Sequence, residues 1–244
     1  MSRRLASRLA SRFGILSSSS SDMRSLPSCS ARSLCSSARW LQQHRADEYV
    51  LKAAREGYRS RAAYKLKQIN AKYKLLKRGG CALDLGAAPG SWMQVLVEHN
   101  MRVVGVDLLP CTPVGDSSFI QGDFTDDAIQ DELTASLNGK ADLVVSDISP
   151  DRSGNKTLDD ARITDYAEQA IALSRRCLAP GGSFLIKLLD GADLQHFLGR
   201  CKPLFAKGAL AKPAASRKKS REVYFVGRGW KPKSYDQFWL HDGL

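Results

Sequence analysis

No Cys-x-x-Cys pair occurs among the six cysteines (Cys29, Cys35, Cys81, Cys111, Cys177, Cys201), so neither a metal centre nor a disulfide framework is expected. Cys81 and Cys177 sit in apolar contexts and read as buried thiols. No apolar run approaches the roughly 18 residues of a membrane span, and no secretory hydrophobic core is present. The spaced glycines of the dinucleotide fingerprint are missing, as is the Gly-Lys-Ser/Thr of a phosphate-binding loop. Neither NAD nor ATP is therefore the expected cofactor. Residues 1–45 lack lysine and hold a single acid, Asp22, against eight arginines and fourteen serines, a net +7. The other 199 residues carry 29 basic and 24 acidic side chains, a net +5. The leader thus inflates the isoelectric point, and the body is only mildly basic, which suits a polyanionic partner without requiring one.

An arginine-rich, serine-rich, acid-poor start is the composition of an organelle transit peptide. Leu5, Leu9, Phe13 and Leu16 recur three or four apart, with Arg4, Arg8 and Arg12 between them, the pattern of a basic amphipathic helix. Arginines that begin so early and in helical register favour mitochondrial over plastid import, with removal within Arg32 to Trp40. The competing reading is a basic tail that binds RNA. The chain accordingly divides into a mitochondrial transit peptide (1–39), a folded body (40–230) and a polar-aromatic C-terminal tail (231–244) with no assigned structure.

At 244 residues the chain can bury a sizeable core. Residues 47–73 read as helix, with a dense basic set that includes Lys52, Arg55, Arg59, Arg61, Lys65 and Lys67. Strands are expected at 81–85, 102–107, 118–120, 142–147, 183–189 and 222–227, and helices at 91–99, 126–137, 160–178 and 191–202. Ala179-Pro180-Gly181-Gly182 reads as a helix stop leading into a strand. Strands alternating with helices predict an α/β, doubly wound, mostly parallel sheet.

The most informative stretch is Leu83-Asp84-Leu85-Gly86-Ala87-Ala88-Pro89-Gly90-Ser91-Trp92. It reads as strand, tight glycine turn and helix, the place where such sheets hold a nucleotide-like cofactor. Gly86 and Gly90 let a ligand approach the backbone. Four acids fall at successive strand ends: Asp84, Asp107, Asp123 and Asp147. Asp107 comes about 20 residues after the turn, where an acid conventionally takes ribose hydroxyls, and Asp123 is placed to accept from an adenine amino group. One such acid is ordinarily a helix cap; four in succession are harder to explain by capping.

With these residues the chain resembles the FtsJ ribose 2′-O-methyltransferases, which use S-adenosylmethionine. The matching stretches run in order: Ser60 to Leu66, Asp84 to Gly90, Asp107 to Pro110, Gln121 to Phe124, Ser146-Asp147 with Pro150 and Ser153-Gly154, Leu178 to Ser183 with Lys187, and Ser220 to Tyr224. Together they span nearly all of the chain outside leader and tail. The resemblance implies a Rossmann-like class I fold with a seven-stranded sheet. It also implies a Lys-Asp-Lys-Glu catalytic set, filled here by Lys65, Asp147, Lys187 and Glu222. A ribose hydroxyl is a poor nucleophile, and a lysine can help deprotonate it only if its neutral form is accessible. Lys187, at the end of the apolar run Phe184-Leu185-Ile186, is the candidate base, with Asp147 steering it and Lys65 and Glu222 orienting the hydroxyl. Gly86, Pro89, Gly90, Trp92, Asp107, Asp123 and Asp147 are the implied cofactor contacts; a core role for Trp92 is the alternative. Arg55, Arg59, Arg61, Lys212, Arg217, Lys218, Lys219 and Arg221 are the expected phosphate grips, against the plainer reading of solvated charges.

Within the family, the likeness is closest to enzymes that methylate a large-subunit rRNA uridine in the peptidyl-transferase A-loop. With the leader, the implied partner is mitochondrial large-subunit rRNA, in the matrix, for a chain that is monomeric when free. A ribosome-assembly factor with little catalysis, a transfer-RNA methyltransferase and a cap methyltransferase are the alternatives; the absence of a large appended domain disfavours the last. Three departures from the family pattern stand out. Ser91 replaces a usual second glycine, Asp151 a common asparagine, and Asp190 a frequent neutral polar residue. Added acids beside a phosphate-rich substrate cost affinity.

Overall fold

The computed structural model describes residues 47–150, 153–191 and 193–238. The leader, Trp40, Asp151 and the end of the tail lie outside them. Two helices occupy the basic segment expected as one. The first, α1 (Glu48–Glu56), starts at Asp47, whose carboxylate accepts the Tyr49 N–H at 3.1 Å, and ends where Gly57 takes a φ of 77°. A left-handed C-cap of this kind suits glycine, and it breaks the helix. The second, α2 (Ala62–Tyr73), follows the link 58–61.

Seven strands then form one sheet among the described residues: β1 (Cys81–Leu85), β2 (Arg102–Asp107), β3 (Ser118–Gln121), β4 (Ala141–Ser146), β5 (Leu178–Leu189), β6 (Phe205–Ala211) and β7 (Glu222–Trp230). Their order is β3-β2-β1-β4-β5-β7-β6. The first five pair in parallel, and β7 runs antiparallel to both β5 and β6. The crossovers carry α3 (Ser91–Glu98), α4 (Asp127–Leu137), α5 (Lys156–Cys177) and α6 (Leu194–Cys201). A doubly wound architecture results, as expected from the alternation of elements.

The sheet separates two cores. Leu83, Leu85, Val104, Phe184, Ile186 and Phe225 pack with residues of α4, α5 and α6. Ala82, Leu143, Val145, Leu185 and Tyr224 pack with Leu66, Ile69, Trp92 and Met93 of α2 and α3. Each such fully buried side chain contributes about 1.5–3 kcal/mol of burial free energy. Because successive strand residues alternate faces, the parity that sends Val145 and Leu185 into the second core also assigns Asp147 and Lys187 to that face. The functional groups are therefore aimed by the packing of the residues two positions before them.

Other segments also differ from the sequence expectation. β6 was not anticipated, because Phe205–Ala211 has no β-branched residue, contains Gly208 and lies largely exposed at the sheet edge. α5 begins four residues earlier than its apolar periodicity indicated, at an Asn155 cap that accepts from Thr157 N–H at 3.0 Å. Part of the C-terminal tail is α7 (Pro232–Phe238), held by Tyr235, whose ring lies 6.2 Å from that of Trp230.

Candidate active site

Four elements bring together the four residues of the implied catalytic set. Lys65 Nζ, on the inner stripe of α2, lies 3.2 Å from Asp147 Oδ2 and 3.1 Å from Glu222 Oε2. Lys187 Nζ, from within β5, donates to the Asp147 carbonyl at 2.8 Å and stands 3.3 Å from Asp147 Oδ1. Asp147 follows β4 directly and Glu222 opens β7, so strand pairing sets the spacing: Ser146 is opposite Ile186, and Leu189 opposite Glu222. Contacts between residues 40 to 157 positions apart in sequence thus build one cluster.

Tyr224 completes it. Its hydroxyl donates to Asp147 Oδ1 at 2.7 Å, and it stands opposite Lys187 in the β5–β7 register. No role was assigned to it from sequence, although its position two residues after Glu222 puts both on one strand face.

Burial opposes charge on Asp147, yet Lys187, Lys65 and the Tyr224 hydroxyl together hold the carboxyl below its ordinary value. Burial likewise opposes the Lys65 ammonium, but Asp147 and Glu222 outweigh it and keep that lysine charged to higher pH than a free one. For Tyr224, burial and then the Asp147 and Glu222 charges push the phenol well up, so it serves as a neutral donor. Lys65 is a fixed cation, and the other amine of the cluster, Lys187, is the one free of two carboxylate partners. A narrow cleft of about 20 Å³ opens beside Lys187 and Glu222, flanked by Pro150.

The glycine turn lies across the ends of β1, β2 and β4. Gly86 (φ 76°) and Gly90 (φ 103°) both take left-handed conformations. A Cβ on Gly86 would fall 2.3 Å from Ile148 Cγ1, and one on Gly90 would fall 2.3 Å from Arg59 Nη1. Ser91, where a second glycine was usual, needs no such conformation: it is the first residue of α3, and its hydroxyl donates to Ser60 Oγ at 2.7 Å. Pro89 is exposed on the turn, joined to Ala88 by a cis bond.

Asp107 Oδ2 accepts the Ala88 N–H and Oδ1 the Leu109 N–H, both at 2.9 Å, so this acid fastens the turn to the loop after β2. Half-buried Asp123 accepts on Oδ1 from Thr125 N–H at 2.9 Å and from its hydroxyl at 2.8 Å, a local cap. The Trp92 indole is withdrawn from any ligand. It is 3% exposed, donates to the Ala62 carbonyl at 2.8 Å and packs 6.1 Å from the Tyr224 ring. Only the Trp92 main chain, in the first turn of α3 where N–H groups lack helical partners, can meet a cofactor; the side chain is a strut that holds α2, and hence Lys65, against the sheet.

The fourth acid, Asp84, is 1% exposed, and its Oδ2 has no hydrogen-bond partner among the described residues. An acid-rich rim with an orphaned carboxylate oxygen suits a cationic cofactor bearing ribose hydroxyls and amine donors, and repels a polyphosphate. S-adenosylmethionine, with its sulfonium and ammonium groups, fits this donor set.

The expected RNA residues separate into two kinds. Arg59 donates to the carbonyls of Pro89, Thr112 and Pro113. Arg61 pairs with Asp47 at 2.7 Å and donates to the Ala215 carbonyl. Arg221 forms a two-point pair with Asp160 and also reaches the carbonyl of Asp190, itself exposed. All three thus make internal ties as well as standing where RNA phosphates were expected, with Arg59 exposed. Arg55, Lys212, Arg217, Lys218 and Lys219 are exposed, with Lys212 donating to the Ser220 carbonyl and Arg217 3.5 Å from Asp47.

The model of the FtsJ-like methyltransferase family matches residues 58–230. A ribosomal RNA large subunit methyltransferase E from Acinetobacter baumannii is 44% identical over 200 residues, covering 80% of this chain and 93% of that protein. The protein of the same name from Chromobacterium violaceum is 44% identical over 198 residues, covering 80% and 97%. Among solved structures, a ribosomal RNA methyltransferase from Plasmodium falciparum superposes with a TM-score of 0.65 at 29% identity, covering 71% of this chain and 98% of that one.

Proposed function

The chain belongs to the FtsJ-like methyltransferase family, and from that premise we propose that it transfers a methyl group from S-adenosylmethionine to a ribose 2′-hydroxyl of mitochondrial large-subunit rRNA. The observation that carries the reading is the convergence of Lys65, Asp147, Lys187 and Glu222 beside the glycine turn. The bacterial relatives, named for large-subunit rRNA methylation, are spanned over nearly their whole length, which supports the rRNA class; an A-loop uridine is the target the family resemblance favours. The arginine-rich leader supports the mitochondrial matrix.

When bound, the cofactor would supply an electrophilic methyl on a sulfonium. Gly86, Pro89 and Gly90, with the main chain of Trp92, would form its cradle; Asp107 and Asp123 would face its ribose and adenine ends. Lys187 would accept the proton of the 2′-hydroxyl. Lys65, pinned as a cation by Asp147 and Glu222, orients that hydroxyl and offsets charge on it. Asp147 holds both lysines in place, and Tyr224 holds Asp147. Alignment of the two bound reactants supplies much of the remaining acceleration. Phosphate contacts fall to Arg55, Arg217, Lys218 and Lys219.

Ribose methylation mapped across mitochondrial rRNA in cells carrying wild-type protein or Lys187→Ala tests this. Loss of one A-loop mark in the variant is the expected result. An unchanged methylation map, with large subunits that fail to mature when the protein is depleted, would replace the enzyme by a non-catalytic assembly factor.

A further inference from the structure

Charge in the body is segregated. Residues 57–83 and 194–221 together hold 16 basic side chains and no acid, so the rest of the body, with 13 basic and 24 acidic, is a net −11. The first segment supplies α2, and the second supplies β6 with the loop that follows it. A cavity of about 110 Å³ opens where the two meet. Ile69, Lys72 and Tyr73 line it from α2, and Ala211, Lys212 and Pro213 from the other side. Ile69 and Pro213 are buried while Lys72 and Lys212 are exposed, so its deep side is apolar and its open side cationic.

The polar side chains around this cavity are already engaged. The Tyr73 hydroxyl donates to the Leu210 carbonyl at 3.2 Å, which fixes its ring against the outer strand of the sheet. Gln68 accepts the Ala215 N–H at 2.8 Å and donates to the Tyr49 hydroxyl at 3.1 Å. Lys72 Nζ rests 5.3 Å from the centre of the Tyr73 ring. What the cavity offers is an aromatic ring, apolar walls and cations, with no uncommitted amide or hydroxyl among the described side chains that line it. A nucleobase joined to a phosphate suits that set, because any base can stack on an aromatic side chain. An exposed ammonium over a ring is worth less than a base on the same ring, so Lys72 can leave Tyr73 for a phosphate. Strand addition by a peptide is opposed by the Tyr73 bond, which occupies the Leu210 carbonyl at this edge.

Two independent measures place the cavity close to the reacting centre. Lys72 follows Lys65 by two helical turns on the same stripe of α2, about 10 Å along the axis. Ala211 pairs with Tyr224, and Tyr224 with Lys187, so Ala211 lies two strand spacings, again about 10 Å, from the candidate base. That span equals three stacked nucleotide steps of about 3.4 Å, or fewer where the strand is unstacked. We infer that the cavity is a second RNA subsite: it receives one base, turned out of the stack, from a nucleotide within three positions of the methylated ribose. The base lies on Tyr73, and its phosphates meet Lys72 and Lys212. This inference rests on the RNA substrate of the proposed function. It adds a contact that selects for an unpaired, deformable strand beside the target and not for a particular base.

The test measures binding of the full chain, at one salt concentration, to a synthetic hairpin with the A-loop sequence of mitochondrial large-subunit rRNA. Parallel hairpins lack a single base, with the ribose-phosphate kept, at each of the three positions on either side of the target. One abasic position should weaken binding by wild type about five- to hundredfold. Tyr73→Leu should lose the same amount on the intact hairpin and nothing further on that abasic one. Tyr73→Phe also lacks the tie to Leu210 but keeps the ring, and should bind within about twofold of wild type. Lys72→Ala should flatten the salt dependence by about one phosphate contact. A 4-thiouridine at the sensitive position should cross-link within 68–73 or 210–213, a readout that needs no variant to fold. No sensitive position, a cross-link elsewhere, or losses from Tyr73→Leu and the missing base that add in full overturn the inference and leave the methyltransferase reading standing. Wild type that binds the hairpin no better than DNA of the same sequence would instead overturn the proposed RNA substrate.

Discussion

At the scale of single residues, the two lysines of the cluster divide the chemistry by their surroundings. Lys65 has two carboxylates within 3.2 Å, which favour the ammonium. Lys187 has one carboxylate oxygen at 3.3 Å and spends its shortest bond on a neutral carbonyl. Replacing Lys187 by alanine should lower the single-turnover rate of methyl transfer by about 10²–10⁴-fold, the usual worth of a positioned general base. S-adenosylmethionine binding, measured by calorimetry, should change little. Equal losses in rate and cofactor affinity would count against the assignment of Lys187 as base.

Asp84 makes a separate prediction about stability, because its carboxyl is raised in the folded, cofactor-free protein. Between the unfolded value, about 3.9, and the folded value, the native state binds more protons than the unfolded one. Stability attributable to this group therefore falls as pH rises through that window. Asp147 acts in the opposite sense: its carboxyl is lowered, so its stabilisation is full above the unfolded value and disappears as pH falls through the folded one. Denaturant melts of cofactor-free protein across this pH range should show a shallower decline, or none, in Asp84→Asn. An identical pH profile in variant and wild type would show that Asp84 does not titrate with folding.

At the scale of elements, the internal arginines show how the site is assembled. Arg61, at the start of α2, pairs with the cap residue of α1 and with the Ala215 carbonyl. Gln68 of α2 accepts the Ala215 N–H at 2.8 Å. Together they brace the 212–221 loop that delivers Glu222 and presents Lys218 and Lys219. Arg61→Ala leaves a half-buried Asp47 with the more distant Arg217. It should destabilise the fold by about 1–3 kcal/mol, the cost of a broken hydrogen-bonded pair, as read by urea denaturation. Loss of RNA affinity at unchanged stability would restore Arg61 to the phosphate-binding set.

The elements also show what was legible beforehand. β1, β2, β4 and the functional part of β5 were plain, because strands buried on both faces are short, near-continuous apolar runs. The glycine turn and Asp147 were plain for the same reason, since each follows the end of such a run; Lys65, Lys187 and Glu222 were singled out only through the family resemblance. What stayed hidden depended on partners far away in sequence. Nothing local distinguishes Arg59, Arg61 and Arg221, whose guanidinium groups are spent on carbonyls and acids, from Lys218 and Lys219, which face solvent. Trp92 was open between core and cofactor because the Ala62 carbonyl that engages its indole lies 30 residues away. Gly57 was visible in the chain, but an isolated glycine in a helical pattern is often tolerated.

At the scale of the whole molecule, a parallel sheet gathers its chemistry at one edge, where the carboxyl ends of β1, β2 and β4 meet the two lysines. Charge is distributed differently: the body holds only a net +5, and the leader a net +7. Residues 1–39 joined to a fluorescent reporter should carry it into mitochondria, and the triple change Arg4→Glu, Arg8→Glu, Arg12→Glu should leave it in the cytosol. A wild-type fusion that stays cytosolic would sink the matrix assignment.

The same distribution governs how RNA is held once the leader is gone. A mildly basic body cannot bind by bulk charge, so affinity must rest on a few placed cations, each displacing counterions from a phosphate. The logarithm of the RNA binding constant then falls with the logarithm of salt by about 0.7–0.9 for each phosphate engaged. Removing Lys218 or Lys219 by alanine substitution should flatten that slope by about one contact each and leave thermal stability within about 0.5 kcal/mol, as for other exposed sites. Full chain carrying the leader should show a steeper slope than the body, because arginines that serve import also bind polyanions without specificity. Identical slopes for the body and for the Lys218→Ala and Lys219→Ala variants would remove this loop from the RNA surface and shift the search for phosphate contacts to Arg55 and the exposed faces of α1 and α2.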